Sequence, residues 1–249
     1  MFNKFAVVLA AGAAMTAGVA SAELRSAEIG LASQGTSGDS GDIGTGTLFG
    51  NVDLGFGGNY GVQLAVQSSH SEDQNSAAEA DATAILAYGY SDFGFGRFGV
   101  LLGHAESDTI DLGANLYGVG FQLGRSGDTL HTSQVFAIAD LEDVSDETVL
   151  LSSLSVASVV SERVAITGDL GYNYLEISGY DVNAFSYSVG VEFYATPRVE
   201  LGASLGGTYA DDGIDSASDA TAALSVSYLF GNDVGVRRQR SLTAMNFGF

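Results

Sequence analysis

Large apolar side chains and small or polar ones take alternate positions along most of the chain. In TAALSVSYLF, residues 221–230, Ala222, Leu224, Val226, Tyr228 and Phe230 form one series, and Thr221, Ala223, Ser225 and Ser227 form the other, broken only by Leu229. YGVQLAVQ sets Tyr60, Val62, Leu64 and Val66 against Gly61, Gln63, Ala65 and Gln67. Phe185, Tyr187, Val189, Val191 and Phe193 oppose Ser186, Ser188, Gly190 and Glu192, and Val199, Leu201, Ala203 and Leu205 oppose Glu200, Gly202, Ser204 and Gly206. A period of two belongs to a strand, whose successive side chains point to opposite faces. The pattern predicts about twelve strands, near 24–33, 46–56, 60–68, 82–90, 97–105, 113–123, 130–140, 148–158, 164–175, 184–194, 198–209 and 220–230. Each is about ten residues, the length a tilted strand needs to cross a hydrocarbon layer.

The expected connections alternate as well. GGN, SDFGFG, GRSGD, VSER and ATP are tight, whereas SSHSEDQNSAAEAD and ADDGIDSASD are long and hydrophilic. Tight turns at one end and loose ones at the other describe an up-and-down meander. A soluble barrel would pack its large apolar residues inside. Here the second face carries Gly, Ala, Ser and Thr, too small to fill a barrel of this strand number, while the bulky face suits contact with lipid tails. The reading is an all-β fold: a transmembrane antiparallel up-and-down β-barrel of about twelve strands, with 10 or 14 as alternatives. Closure follows from the solvent, because a sheet edge in hydrocarbon leaves N–H and C=O groups unpaired. Aromatics near strand ends suggest two interfacial girdles, with Phe56, Tyr60, Tyr88, Tyr90, Phe98, Phe193, Tyr228 and Phe230 toward the tight turns and Tyr172, Tyr174, Phe185 and Tyr209 toward the long loops.

The ends of the chain read differently. Lys4, the apolar run Phe5 to Met15 and the small residues Ala20-Ser21-Ala22 form a secretory signal peptide over 1–22, cleaved before Glu23. The barrel then occupies 23–230, and 231–249 is either a tail or the closing strand, since Met245, Phe247 and Phe249 alternate. The chain has no cysteine, which excludes disulfides and thiolate metal sites from an exported protein. After the signal there is no lysine, and 8 arginines face 30 acidic residues, a balance that argues against nucleic acid as a partner. Of those acidic residues, 20 fall in the long connections 34–43, 68–82, 105–112, 140–148, 176–182 and 210–219, which hold no arginine. Arg97, Arg125, Arg163 and Arg198 sit at tight turns, and Arg237, Arg238 and Arg240 follow the last strand on that side. An acidic rim of this kind solvates the loops and raises cation concentration at the mouth.

Strand parity places Asn51, Asp53, Gln63, Gln67, Arg97, Asp169, Asn173, Glu192 and Glu200 on the inner wall as pore-lining candidates. Four carboxylates against one arginine predict a mild cation preference if water fills the lumen. None of His70, His104 and His131 stands in a convincing catalytic constellation. Ser69-His70-Ser71 lies at the loop rim with Glu72 and Asp73, but adjacent strand residues point to opposite faces. His131 falls near the tight turns, and His104 on the outer parity near the rim. DDGID at 211–215 lacks the spacing of a calcium loop, and no gapped glycine motif opens a helix, so no catalytic residue, metal or cofactor is expected.

With its signal peptide, alternating strands, turn pieces such as GFGGNYGVQL and a last strand ending at Phe230, the chain resembles the Gram-negative outer-membrane β-barrels, specifically small porin-like proteins, over nearly all of 23–230. The resemblance implies residence in the outer membrane among its lipids. It also implies insertion by the outer-membrane assembly machinery, which recognises an alternating final strand with a terminal Phe. In that family the terminal Phe is normally the last residue, whereas here 19 residues follow Phe230. The expected function is a channel for passive diffusion of small hydrophilic solutes, with no reaction and no energy input. The alternatives are a structural or adhesion barrel of the opacity type without an open pore and, third, an outer-membrane hydrolase. A homotrimer would need a flat wall patch free of girdle aromatics.

Overall fold

A computed structural model describes residues 22–39, 41–56, 58–75, 78–107, 112–124, 127–141, 148–177 and 180–240. The signal peptide read from the sequence and the end of the tail, 241–249, lie outside them. The described residues form twelve strands: β1 (Ala22–Gly38), β2 (Ile43–Phe56), β3 (Tyr60–Asp73), β4 (Glu79–Asp92), β5 (Gly96–Ser107), β6 (Leu112–Leu123), β7 (Leu130–Leu141), β8 (Thr148–Ser161), β9 (Val164–Ile177), β10 (Tyr180–Thr196), β11 (Val199–Asp211) and β12 (Ser216–Gly231). Every strand pairs with its sequence neighbours, and β1 pairs antiparallel with β12 to close the barrel. No sheet edge is left to meet hydrocarbon.

The strands run 12–17 residues, longer than the alternation predicts, and the extra length lies mostly at the loop end. SSHSEDQNSAAEAD and ADDGIDSASD are therefore largely extended hairpin arms: β3 and β4 continue to a connection at 74–78, and β11 and β12 to one at 212–215. The ladder keeps backbone groups paired along these arms, and polar residues on both faces there suit water.

Parity holds where it matters. Val189, Leu205 and Leu224 face outward at 64%, 70% and 67% exposure, as do Tyr60, Phe98, Tyr172, Phe185, Phe193, Tyr209, Tyr228 and Phe230 of the two girdles. Two girdle assignments fail. Tyr88 and Tyr90 point into the barrel and are buried, because β4 turns its bulkier series inward and leaves Ile85, Ala87 and Gly89 outside. The inner face is accordingly less uniform than expected. Across β3–β8 it carries an apolar cluster of Ala65, Leu86, Tyr88, Tyr90, Leu101, Ala114, Leu116, Val135, Ala137, Ala139, Val149 and Leu151. Across β9–β12 it keeps the small polar character of Thr167, Ser186, Ser188, Ser204 and Ser225. Leu229, the one break in the last strand's small series, packs inside with Ala165, Tyr194 and Val236.

Candidate functional site

Val236 belongs to a segment that forms no strand. Past Gly231, whose φ of +94° lets the chain leave the wall where a Cβ would press on β1's backbone, residues 232–240 cross the tight-turn mouth of the barrel. The crossing is fixed at both rims. The Asp233 N–H donates to the Arg25 carbonyl of β1 (3.1 Å), and the Gly127 N–H of the β6–β7 connection donates to the Arg237 carbonyl (2.8 Å). In a ring of twelve strands, β6–β7 lies opposite the β1–β12 seam, so this strap spans the full width. A second positive φ at Gly235 (+94°) and a bond from the Gln239 N–H to the Asp233 carboxylate (2.7 Å) shape it internally.

Two strap arginines turn into the lumen. The Arg238 guanidinium, buried, donates from Nη2 to Glu28 Oε2 of β1 (3.0 Å) and Glu200 Oε2 of β11 (3.1 Å). Arg240 donates from Nη1 and Nη2 to the two oxygens of Glu192 on β10 (2.5 and 2.6 Å), and Tyr194 Oη adds a bond to the same carboxylate (3.2 Å). The Arg240 carbonyl accepts from Gln122 Nε2 of β6 (2.9 Å). That glutamine joins the strap to a second buried network on the opposite wall.

There Asp53 of β2 accepts from Arg97 Nη1 of β5 (2.6 Å), Tyr90 Oη of β4 (2.5 Å) and Gln63 Nε2 of β3 (3.3 Å), and Gln63 reaches Gln122 at 3.4 Å. Arg97 also stacks over the Tyr90 ring at 4.4 Å, and Arg25 Nη1 donates to Tyr90 Oη (2.8 Å). Tyr90 reaches across β3 to Asp53 only because residue 61 is glycine: a Cβ there would sit 2.3 Å from Tyr90 Oη. The two networks make a continuous polar layer across the barrel at the tight-turn end. Such a layer is stable in a low dielectric only when its charges are paired and bonded.

The layer alters the charge balance read from the sequence. Asp53, Asp169, Glu192 and Glu200 were set against Arg97 alone, but Glu28 joins them and Arg25, Arg238 and Arg240 enter as well, so the carboxylates of the layer face four guanidiniums. The expected excess of negative charge on the wall is thus compensated at this end. Asp169 lies above the layer, where Ser188 Oγ donates to it at 2.8 Å. The three arginines after the last strand were expected on the tight-turn side of the barrel. Arg238 and Arg240 were missed as lumen groups because their partners lie up to 210 residues away, beyond any local pattern. Leu229 was the visible signal, a large apolar residue where the strap's Val236 needs a partner.

Above the strap a cavity of about 560 Å³ runs up the barrel. Its lining extends from Arg238, Gln239 and Arg240 to Gln34, Ser107 and Thr221 near the loop end. Of the candidates, Asn51, Gln67, Asp169, Glu192 and Glu200 border it, and Asn51 Nδ2 donates to Glu28 (3.3 Å). Asp53, Gln63 and Arg97 instead lie buried within the polar layer, and Asn173 is on the inner parity of β9 with Ala184 beside it. At the rim, the Asp212 carboxylate accepts from the N–H groups of Asp215 (2.7 Å) and Ile214 (2.9 Å), which holds it below the usual carboxylate range.

The histidines occupy separate places. His70 Nδ1 is 2.8 Å from Asp81 and Nε2 is 3.2 Å from Glu72, all on the outer parity near the loop end. His104 faces outward with Nδ1 3.1 Å from Asn115 Oδ1, and His131 is buried in the lumen beside the Asp128 carbonyl (3.2 Å). Among the described residues, no three His, Cys, Asp or Glu side chains converge to hold a metal.

No protein-family model and no curated protein sequence matches the chain. Solved structures do match in fold. An outer membrane channel from Pseudomonas putida F1 aligns with a TM-score of 0.62 at 11% identity, over 83% of this chain and 96% of the channel. The KdgM porin in complex with disordered oligogalacturonate aligns at 0.58 and 10% identity, over 82% and 99%. The translocator domain of the autotransporter NalP from Neisseria meningitidis aligns at 0.52 and 12%, over 91% and 95%. In fold, the chain is a closed twelve-stranded antiparallel β-barrel similar to those of small outer-membrane porins and channels.

Proposed function

We propose that the protein is an outer-membrane channel through which small hydrophilic solutes diffuse passively. The observation that carries this reading is the cavity bordered by Asn51, Gln67, Asp169, Glu192 and Glu200 that runs from near the loop end to the strap inside a closed barrel whose outer surface is apolar. Where water fills such a lumen it conducts, with a selectivity that follows the charges it presents. With the wall carboxylates at the tight-turn end paired to arginine, cation preference arises chiefly from the rim, including Asp211, Asp212 and Asp215, and from Asp169. A catalytic role has no support from the histidines, whose partners form no nucleophile and base pair. The barrel sits with its acidic loops outward and the strap toward the periplasm, inserted by the outer-membrane assembly machinery after export. The protein refolded in detergent and added to planar bilayers should give discrete conductance steps, with a reversal potential under a salt gradient of the sign for cations. Absence of any conductance would overturn the channel reading. The strap across the mouth favours a second reading in that event, a barrel whose acidic loops are the working part.

A further inference from the structure

One aromatic ring looks into the cavity from a stretch of wall otherwise built of small and amide side chains. Phe49 lies midway along β2 on the inner parity, with Thr47 and Asn51 two residues to either side and Gln67 of β3 directly opposite it in register. Its ring reaches over β1 onto Gly30, where a Cβ would fall 2.3 Å from the ring tip, so only glycine lets the ring settle on that strand. Gly30 is buried, while Phe49 itself stays partly exposed. Tyr187, the other Phe or Tyr among the described residues bordering the cavity, points outward at 52% exposure. Phe49 also belongs to neither apolar cluster of the inner wall. A phenyl group kept out of those clusters and turned to the cavity forgoes burial, and a ligand with an apolar face recovers it.

The surroundings select the partner. Asn51 Nδ2 donates to Glu28 (3.3 Å), which leaves its carbonyl oxygen for another donor. Gln67 makes no side-chain hydrogen bond among the described residues, so its amide offers both a donor and an acceptor to the cavity. β8, which faces β2 across a ring of twelve strands, adds Ser153 and Ser155 to the lining, and β9 adds the Asp169 carboxylate. Among the described residues that border the cavity, the arginines are already committed: Arg238 is shared by Glu28 and Glu200, and Arg240 is taken by Glu192. An anion therefore finds no guanidinium to bind. An aromatic group between amides and hydroxyls fits a ring whose faces are C–H and whose rim is hydroxyl, and a cavity of about 560 Å³ lies in the range of small-molecule sites.

We propose that Phe49, Asn51 and Gln67 form a subsite for an uncharged sugar ring, one pyranose face stacked on the phenyl group and the hydroxyls bonded by the two amides. The subsite stands about 14 Å along β2 from Asp53 at strand rise, clear of the polar layer. It rests on the channel reading for the sugar's route and deepens that reading by naming the solute class; binding itself needs only an accessible cavity.

The chain has no tryptophan, so Phe49→Trp places a single fluorescent reporter in the subsite. Refolded in a detergent without a sugar headgroup, that variant is titrated with maltotriose. Its emission should shift and saturate, and trigalacturonate should leave it unchanged. Radiolabelled maltotriose should bind the unsubstituted chain in equilibrium dialysis, about tenfold or more weakly in Phe49→Ala and several-fold more weakly in Gln67→Ala. Undiminished binding in Phe49→Ala would overturn the proposal by placing the sugar elsewhere. Failure of the unsubstituted chain to bind would overturn it as well, and so would trigalacturonate binding as tightly as maltotriose. Should Phe49→Trp fail to fold, dialysis answers alone, with Phe49→Leu as a variant that keeps an apolar side chain without a stacking face and should lose affinity like Phe49→Ala. Bilayer recordings separate the subsite from the channel reading. Maltotriose that binds and interrupts the current supports both; binding without any conductance sustains the subsite and rejects the channel, and conductance without binding does the reverse.

Discussion

Arg238→Met removes the one cation that Glu28 and Glu200 share in the lumen. Both carboxylates are about nine-tenths buried, and Arg238 holds them at 3.0 and 3.1 Å. Removing one partner of a buried ion pair costs about 3–5 kcal/mol because the other charge is left unpaired. The barrel has a cheaper response than unfolding: the strap can swing out and admit water to the two glutamates. What opposes this is the Arg240–Glu192 pair and the contact of Val236 with Leu229 and Tyr194. If about 3 kcal/mol of the loss goes into strap release, the undocked fraction rises about 150-fold. Trypsin reads that fraction, because the chain has no lysine beyond Lys4 and the strap keeps cleavage sites at Arg237 and Arg240. Under native conditions with fast opening and closing, cleavage tracks the population of the open form. Loss of the C-terminal peptide, followed by mass spectrometry, should accelerate about 100-fold. Adding Glu28→Gln and Glu200→Gln should slow it again, since no uncompensated charge remains. Unchanged cleavage in Arg238→Met, with the barrel folded, would refute the idea that this guanidinium holds the strap; an increase that the added glutamines fail to reverse would refute its electrostatic origin.

The remaining predictions concern the wall and the rim. Tyr90→Phe removes a bond to the Asp53 carboxylate and should lower stability by about 1.5–3 kcal/mol, read as a shift in urea midpoint. Gly61→Ala should cost about 1–3 kcal/mol by driving Tyr90 off Asp53, and in the Tyr90→Phe background the two losses should fall short of additive. Leu205→Arg, placed at mid-strand on the outer face, should cost about 2–4 kcal/mol, whereas Ser204→Arg one residue away should leave stability nearly unchanged and reduce conductance. Neutralising Asp211, Asp212 and Asp215 to Asn should move the reversal potential toward zero without altering the urea midpoint.

Most of the barrel was legible in the chain because a bilayer imposes a period of two on each strand and closure on the whole. The closing strand, for example, carries Leu224, Val226, Tyr228 and Phe230 outside against Ser225 and Ser227 inside, and no other arrangement satisfies both lipid and water. The rule failed at β4, where AYGYSD offers bulk on one series only and that series points inward. Parity says which residues share a face, not which face meets lipid. At that strand Asp53, Arg97 and the aliphatic inner wall make the lumen the better place for two tyrosines. The polar layer was half visible, since Asp53, Gln63, Arg97, Glu192 and Glu200 all fell on the inner parity. Their partners in the strap were not, because a segment without periodicity carries no trace of the carboxylates it will meet across the molecule.

The position of Arg238 has a consequence for how the cylinder is finished. Glu28 lies on the first strand and Glu200 on the eleventh, so one side chain clasps both flanks of the last strand, whose 13 paired positions with the first form the seam. Before those strands meet, the two glutamates are apart and the guanidinium has nothing to grip. The latch therefore fastens only on a completed ring, and a half-built wall in the membrane would keep its mouth unobstructed until the final zipper is shut.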